Sequence, residues 1–429
     1  MKRLQPEPAY FILAGGRAFF FALVFTVNMI YQVTAVGLNP LQLVLVGTTL
    51  EVTVFLFEVP TGVVADIYSR RLSILIGLFV IGLGFLTEGL FPNFIAVLVA
   101  QVLWGLGYTF TSGATQAWIV DEIGEENAGR IFLRGSQIDT IGGLIGVAAS
   151  TALGSILINL PIVVGGAAFI ALSLFLALTM PEHGFVRENL TGFVQTKFAG
   201  KLSGFHALRR TLRNGVRLVR VHPALLTIFG IGLFYGLYSE GYDRLWTAHL
   251  IQDITLPQLG GLSPVVWFGL IGAGGSLLTL AATEVVKRRV DTQNAGRITQ
   301  ALFAFSALLV GGLIGFALAR NFWLALGLVW AVDVLRSLIG PLYDTWINQR
   351  LDSRVRATVI SMSGQVDAIG QIAGGPGVGL IGNRLSIPAA LLTSALILSP
   401  VLALYARATR PNTKRAVESS VLSEVEGEA

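Results

Sequence analysis

The sequence predicts an all-α membrane protein of about twelve transmembrane helices in two pseudo-symmetric six-helix halves. Three observations predict it. Charged residues make up only 13% of the chain against 53% hydrophobic ones, and mean hydropathy is +0.71. A water-facing surface normally draws on about 25% charged residues. Apolar runs of about 20 residues, the length that crosses a hydrocarbon core, recur along the chain, and a long polar segment divides them six and six.

In order, the first six runs are read at 8–33, 41–65, 72–91, 94–120, 131–157 and 161–180, and the second six at 224–251, 264–286, 296–319, 321–347, 357–383 and 388–407. The chain opens on the basic stretch MKRL. The first run is too long for a signal h-region and no small-residue cleavage site follows, so it is read as retained. The expected organisation is a first half over 1–180, a linker over 181–223, a second half over 224–408 and a tail over 409–429.

Lysine and arginine set the orientation, because loops rich in them stay cytoplasmic. With the N-terminus inside, 25 of the 30 basic residues fall in inner segments. Only Arg320 and Arg384 fall in outer loops, and Arg17, Arg244 and Arg336 lie within spans. Both termini are therefore expected in the cytoplasm, with the chain multi-pass in the inner (plasma) membrane and in contact with its lipid. The sequence pI of 9.6 does not imply nucleic acid, since the basic residues are spread along one rim and no nucleic-acid-binding motif accompanies them.

Eight of the basic residues lie in the linker. There Leu202, Phe205, Leu208, Leu212, Val216 and Val219 recur at helical spacing, with Arg209, Arg210, Arg213, Arg217 and Arg220 between them. This fits a basic amphipathic helix on the anionic leaflet and equally an ordinary linker helix. The tail ends SEVEGEA and is expected to be disordered.

Transporters are often built from internal repeats. QIDTIGGLIG at 137–146 aligns with QVDAIGQIAG at 365–374, five of ten residues being identical at an offset of 228, Asp139 with Asp367 among them. At the same offset Trp118-Ile119 matches Trp346-Ile347. At an offset of 218, Asp66, Arg70 and Arg71 meet Glu284, Arg288 and Arg289.

The loop after the second span reads GVVADIYSRR, 62–71. Gly62, Asp66, Arg70 and Arg71 resemble the loop signature of the major facilitator superfamily, Gly-x-x-x-Asp followed by a glycine and paired basic residues; Ile67 and Ser69 depart from it. The resemblance implies a secondary transporter of drug-efflux-like type whose halves rock about a central site, with these loop charges gating the cytoplasmic mouth. Exporters of the superfamily tend to carry a Gly-Pro pair in the fifth helix. Here that helix has Gly142, Gly143, Gly146 and Gly154 without it, while GGPGVG, 374–379, stands in the eleventh. Gln101 stands four residues before Gly105, where many members have arginine.

A charge at mid-membrane costs roughly 2.5–3.5 kcal/mol on insertion scales and usually faces a cavity or a partner. The chain places Arg17, Glu51, Glu58, Asp139, Glu240, Asp243, Arg244, Asp333, Arg336, Asp344 and Asp367 within spans. Asp333 and Arg336 are three apart and Glu240 and Arg244 four apart, so each couple can pair on its own helix. Glu51 has no obvious local partner. Glu51 or Asp333 is expected to carry a coupling proton, with Arg17 as an alternating counter-charge; Asp139, Glu240, Arg244, Arg336 and Asp367 complete the coupling or substrate candidates. On the fourth span Gln101, Trp104, Tyr108, Ser112 and Gln116 share a face; with Asn28 and Gln32 they are expected either to wall a substrate cavity or to bond between helices.

No metal site or cofactor is expected: His183, His206, His222 and His249 are scattered and there is no cysteine. Neither a His-Glu-x-x-His nor a Gly-x-Ser-x-Gly pattern occurs, nor a phosphate-binding Gly-x-x-x-x-Gly-Lys-Ser/Thr loop, so neither an enzyme nor an ATP-driven pump is expected. The expected partners are a small-molecule substrate and protons, and the expected state is monomeric. The reading is proton-coupled efflux of small amphipathic or hydrophobic compounds, with uptake of a small organic solute as the alternative.

Overall fold

The computed structural model describes residues 3–185, 223–257, 263–351 and 353–408. The amphipathic stretch expected at 202–220 and the tail expected at 409–429 lie outside the described residues. Among the described residues every regular element is helical. Before the linker stand α1 (Pro6–Thr34), α2 (Pro40–Ile67), α3 (Arg70–Leu90), α4 (Phe94–Thr111), α5 (Ala114–Ile123), α6 (Glu125–Ile156) and α7 (Leu160–Thr179). After it stand α8 (Pro223–Gln252), α9 (Pro264–Arg289), α10 (Ala295–Leu318), α11 (Phe322–Arg350), α12 (Ser353–Arg384), α13 (Ile387–Leu398) and α14 (Pro400–Ala408).

The helices start where side chains satisfy their free N–H groups. Asn39 opens α2 in a reciprocal box with Gln42. Ser69, Asn93, Asn294, Asn321 and Ser386 each accept a backbone N–H at the start of α3, α4, α10, α11 and α13. Two crossings are broken. Gly113 adopts φ +71°, a conformation that costs glycine least, and ends α4 so that α5 starts in a new direction. The other break falls at Ser399, before Pro400.

With each broken pair counted as one, the described residues form twelve long helices, the number the sequence predicts. Ten are long and apolar enough to cross a membrane. The other two, α8 and α12, are diluted by Glu240, Asp243 and Arg244 and by Asp367, Gln371 and a run of glycines. Large apolar side chains stand open on the outside, such as Ile95 at 65% exposure and Leu318 at 62%. A water-soluble surface rarely gathers such groups, whereas lipid accepts them.

The described residues form two compact units: the first takes 3–185 together with 263–273, and the second takes 223–257 and 274–408, so α9 is divided between Ala273 and Gly274. In the first unit α1 packs on α6 and α7, and α3 on α4 and α7. In the second, the same pairs recur as α8 on α12 and α13, and α10 on α11 and α13. The internal repeat has a packing reason. A Cβ on Gly142 would stand 2.7 Å from the Gly15 carbonyl oxygen, and one on Gly370 would stand 2.6 Å from that of Leu233. Gly146 meets the Phe19 carbonyl and Gly374 the Leu237 carbonyl in the same way. The glycines common to the two repeats are those that let each helix pair close. The paired tryptophans are likewise both buried and bonded, Trp118 Nε1 to the Pro181 carbonyl at 2.9 Å and Trp346 Nε1 to Thr299 Oγ1 at 2.8 Å.

Candidate functional site

In the second unit one face each of α8, α11 and α12 lines an open cavity of about 460 Å³. The contributors repeat every three or four residues, as one helix face requires: Gly232, Tyr235, Ser239 and Asp243; then Arg336, Gly340, Tyr343 and Ile347; then Ile360, Ser363, Asp367 and Gln371. Asp344 and Tyr238 line it as well. Glycine sets how closely its walls approach, because a Cβ on Gly236 would collide with the backbone oxygen of Asp367. The two long helices diluted by polar residues, α8 and α12, thus both line this polar space, together with α11.

Arg336 dominates this space. It donates through both Nη atoms to the two carboxylate oxygens of Asp243, with Nη2–Oδ2 at 2.8 Å. Its guanidinium carbon also lies 5.4 Å from the Tyr242 ring centre and 5.9 Å from that of Tyr238. A planar fork makes the two-pronged bond and the ring contacts together. This corrects the local pairing of Arg336 with Asp333. The guanidinium crosses from α11 to α8, where Asp243 offers both oxygens. Asp333 stays within the field of Arg336 and Asp243 but does not line the cavity; it stands beside Gly275, whose Cβ would lie 3.7 Å from its Oδ2. Glu240 and Arg244 do pair on their own helix at 3.3 Å.

Asp367 has a different partner. Its Oδ2 accepts from Gln371 Nε2 at 2.7 Å. The tyrosine hydroxyls are engaged at the rim: Tyr343 donates to the Ile228 carbonyl at 2.8 Å, and Tyr235 lies 2.9 Å from Ser306 Oγ. The cavity therefore presents three carboxylates, Asp243, Asp344 and Asp367, against one guanidinium.

In the first unit α6 carries Asp139 into the field of Arg17 on α1, the two residues the sequence places at similar depth. Glu51 is half-buried and Glu58 exposed on α2, in the first unit. Of the two expectations for the amides and aromatics, bonding between helices is what Asn28 and Gln32 show, and one of the residues expected on the shared face lies off it. Asn28 and Gln32 turn to Glu88 of α3, donating to its Oε1 at 2.9 and 2.7 Å, while Tyr31 donates to the Glu88 carbonyl at 2.9 Å. Glu88 is fully buried. Sequence reasoning passed over it because it lies in the last turn of its span, where a charge normally reaches water. The residue off that face is Gln116, which lies on α5 beyond the Gly113 break and is exposed. Gln101 is buried. Trp104 joins Phe21, Phe25 and Tyr108 in a ring cluster.

The basic residues of the loop signature bond to later elements of the first unit. Arg70 pairs with Asp121 at the end of α5 and donates to the Ala117 carbonyl at 2.7 Å. Glu182 accepts from Ser69 Oγ at 2.7 Å and from the Arg71 N–H at 2.9 Å, and Arg71 donates to the Ala177 carbonyl. A Cβ on Gly62 would meet open space. The acids that hold this corner, Asp121 and Glu182, lie outside the ten-residue pattern that carries Asp66.

The sequence pattern of the Major Facilitator Superfamily matches residues 9–375. The chain belongs to the major facilitator superfamily. This facilitator is 22% identical over 370 residues to an uncharacterized MFS-type transporter, YxaM, of Bacillus subtilis (strain 168), covering 85% of this chain and 86% of that one. Its fold is similar to that of the nucleoside transporter NupG, with TM-score 0.69 and 14% identity over 94% of this chain and 99% of that one. A peptide transporter, POT, in complex with sulfate is similar at TM-score 0.69 and 13% identity, over 96% and 95%. So is a bacterial homolog of the human lysosomal transporter Spinster, at 0.68 and 15%, over 97% and 99%. This facilitator is accordingly a secondary transporter of the membrane and not an enzyme.

Proposed function

We propose that this transporter exchanges small amphipathic organic cations for protons, and so exports them from a cell that keeps its outside acid. The observation that carries the reading is the charge balance of the second unit's cavity. Asp243 neutralises Arg336 through both oxygens, which leaves Asp344 and Asp367 facing the same space. A carboxylate in such a space is neutralised by a proton or by a cationic solute, and the two compete for it. That competition is the requirement of exchange.

Asp243 and Asp367, the two half-buried carboxylates of this space, are not equivalent. Protonating Asp243 strips Arg336 of its counter-charge, which for this half-buried pair costs about 2 kcal/mol. Protonating Asp367 breaks no ion pair, because its partner is the neutral amide of Gln371. Asp367 therefore takes the role that the sequence reading gave to Glu51 or Asp333. Aromatic rings of Tyr235, Tyr238 and Tyr343 on the same wall supply faces for the apolar and cationic parts of a solute. Alternating exposure of a site between two repeat-built halves then carries the solute across.

The test is uphill transport in liposomes holding the purified protein. With an acid interior, ethidium should accumulate inside, collapse on addition of a proton uncoupler, and fail to accumulate with Asp367→Asn. Accumulation that ignores the uncoupler would refute proton exchange.

A further inference from the structure

We infer that Gln371 is the positioning residue that keeps Asp367 hydrogen-bonded in both of its charge states; this rests on the reading of Asp367 as the exchanging carboxylate. The observation is a difference between the two repeats. At the 228-residue offset Asp139 corresponds to Asp367, but the position four residues on is Gly143 in the first repeat and Gln371 in the second. A side chain at 143 would meet open space, so packing does not demand the glycine. Asp139 lies in the field of Arg17, and its Oδ1 is buried without a hydrogen bond among the described residues. Asp367 has the glutamine amide at 2.7 Å instead. Both aspartates lie in the field of an arginine, Arg17 for Asp139 and Arg336 for Asp367, where Asp243 opposes it, but only Asp367 also has a neutral amide bonded to it one turn away.

The choice of amide has a chemical reason. A carboxylate only accepts hydrogen bonds, whereas a protonated carboxyl also donates one. A primary amide has both an N–H and a carbonyl, so a half-turn of its terminal torsion, which is a soft one, supplies a donor to the first form and an acceptor to the second. An arginine or lysine here would serve only the charged form, and an apolar residue neither. Gln371 also lines the cavity itself, so the amide can turn without repacking a core. The groups that share the space with Asp367 are Tyr235, Tyr238 and Asp243 from α8 and Arg336, Tyr343 and Asp344 from α11. The neighbouring α13 brings no titratable side chain.

The experiment reads Asp367 without needing the solute. The full-length protein in liposomes is stepped through pH while infrared difference spectra follow the carboxylic-acid C=O stretch, the Asp367 band being assigned by its loss in Asp367→Asn. In Gln371→Leu the band should move to the higher frequency of an acid without hydrogen bonds. In Gln371→Glu, where two carboxyls share one site, the pH midpoint should move by at least about one unit. A band unchanged in frequency in Gln371→Leu and unchanged in midpoint in Gln371→Glu overturns the inference, as does the absence of any band assignable to Asp367. If the band responds as stated while ethidium is not exchanged for protons, the inference stands and the exchange reading fails.

Discussion

Asp243→Asn isolates the ion pair that organises the cavity, because the amide keeps the carboxylate's shape and removes its charge. Removing one partner of a fully buried pair costs about 3–5 kcal/mol, and exposed pairs contribute about 0.2–1 kcal/mol. Here the side chains are 30% and 40% exposed for Arg336 and Asp243, so the environment lies between these limits. The two-pronged geometry and the flanking rings place the cost at about 2 kcal/mol, or roughly 30-fold in an equilibrium constant. Arg336→Met should cost a similar amount by leaving Asp243 without its cation. The double variant removes both charges, so its cost should fall short of the sum by about 2 kcal/mol. Reversible denaturant unfolding in micelles, read for all four proteins under one set of conditions, gives this coupling. Costs that add to within about 0.5 kcal/mol would refute the claim that the two residues act as a pair.

Gly236→Ala should destabilise the second unit by about 1–3 kcal/mol, since the new methyl meets the Asp367 backbone oxygen; a thermal melt that matches wild type contradicts the close approach of α8 and α12. Asn28→Leu removes a buried donor to Glu88 and should cost about 1.5–3 kcal/mol, the range for hydrogen bonds to charged groups, read by the same unfolding assay; a neutral result would place Asn28 elsewhere. Trp118→Phe and Trp346→Phe each delete one buried indole hydrogen bond and should each cost about 1–3 kcal/mol. A large loss from one with none from the other would break the correspondence between the repeats.

The crossings were legible because hydrocarbon selects for apolar length, and length survives in a linear reading. The repeat was legible too: the glycines matched between 137–146 and 365–374 are where backbones touch. Arg336 and Asp243 were each visible as charges in a span, but they are 93 residues apart, and local spacing offers Asp333 as the nearer partner. Only packing of α11 beside α8 decides between them. Glu88 carried no signal, since burial at the end of α3 depends on Asn28 and Gln32 from another helix. The fourth span read as continuous because Gly113 within an apolar run reads as a helical glycine as readily as a break, and its positive φ is a property of the folded backbone. In the loop signature the arginines were found but their acids were not, because Asp121 and Glu182 come from the ends of later elements.

Competition between a proton and an organic cation for one carboxylate is tested most directly by counting protons. Purified protein in weakly buffered micelles, at a pH where Asp367 holds its proton, should release about one proton per chain when tetraphenylphosphonium is added. Asp367→Asn should release none, while Glu51→Gln should behave as wild type. Release that persists in Asp367→Asn, or cation binding with no release from the wild-type protein, would contradict the account.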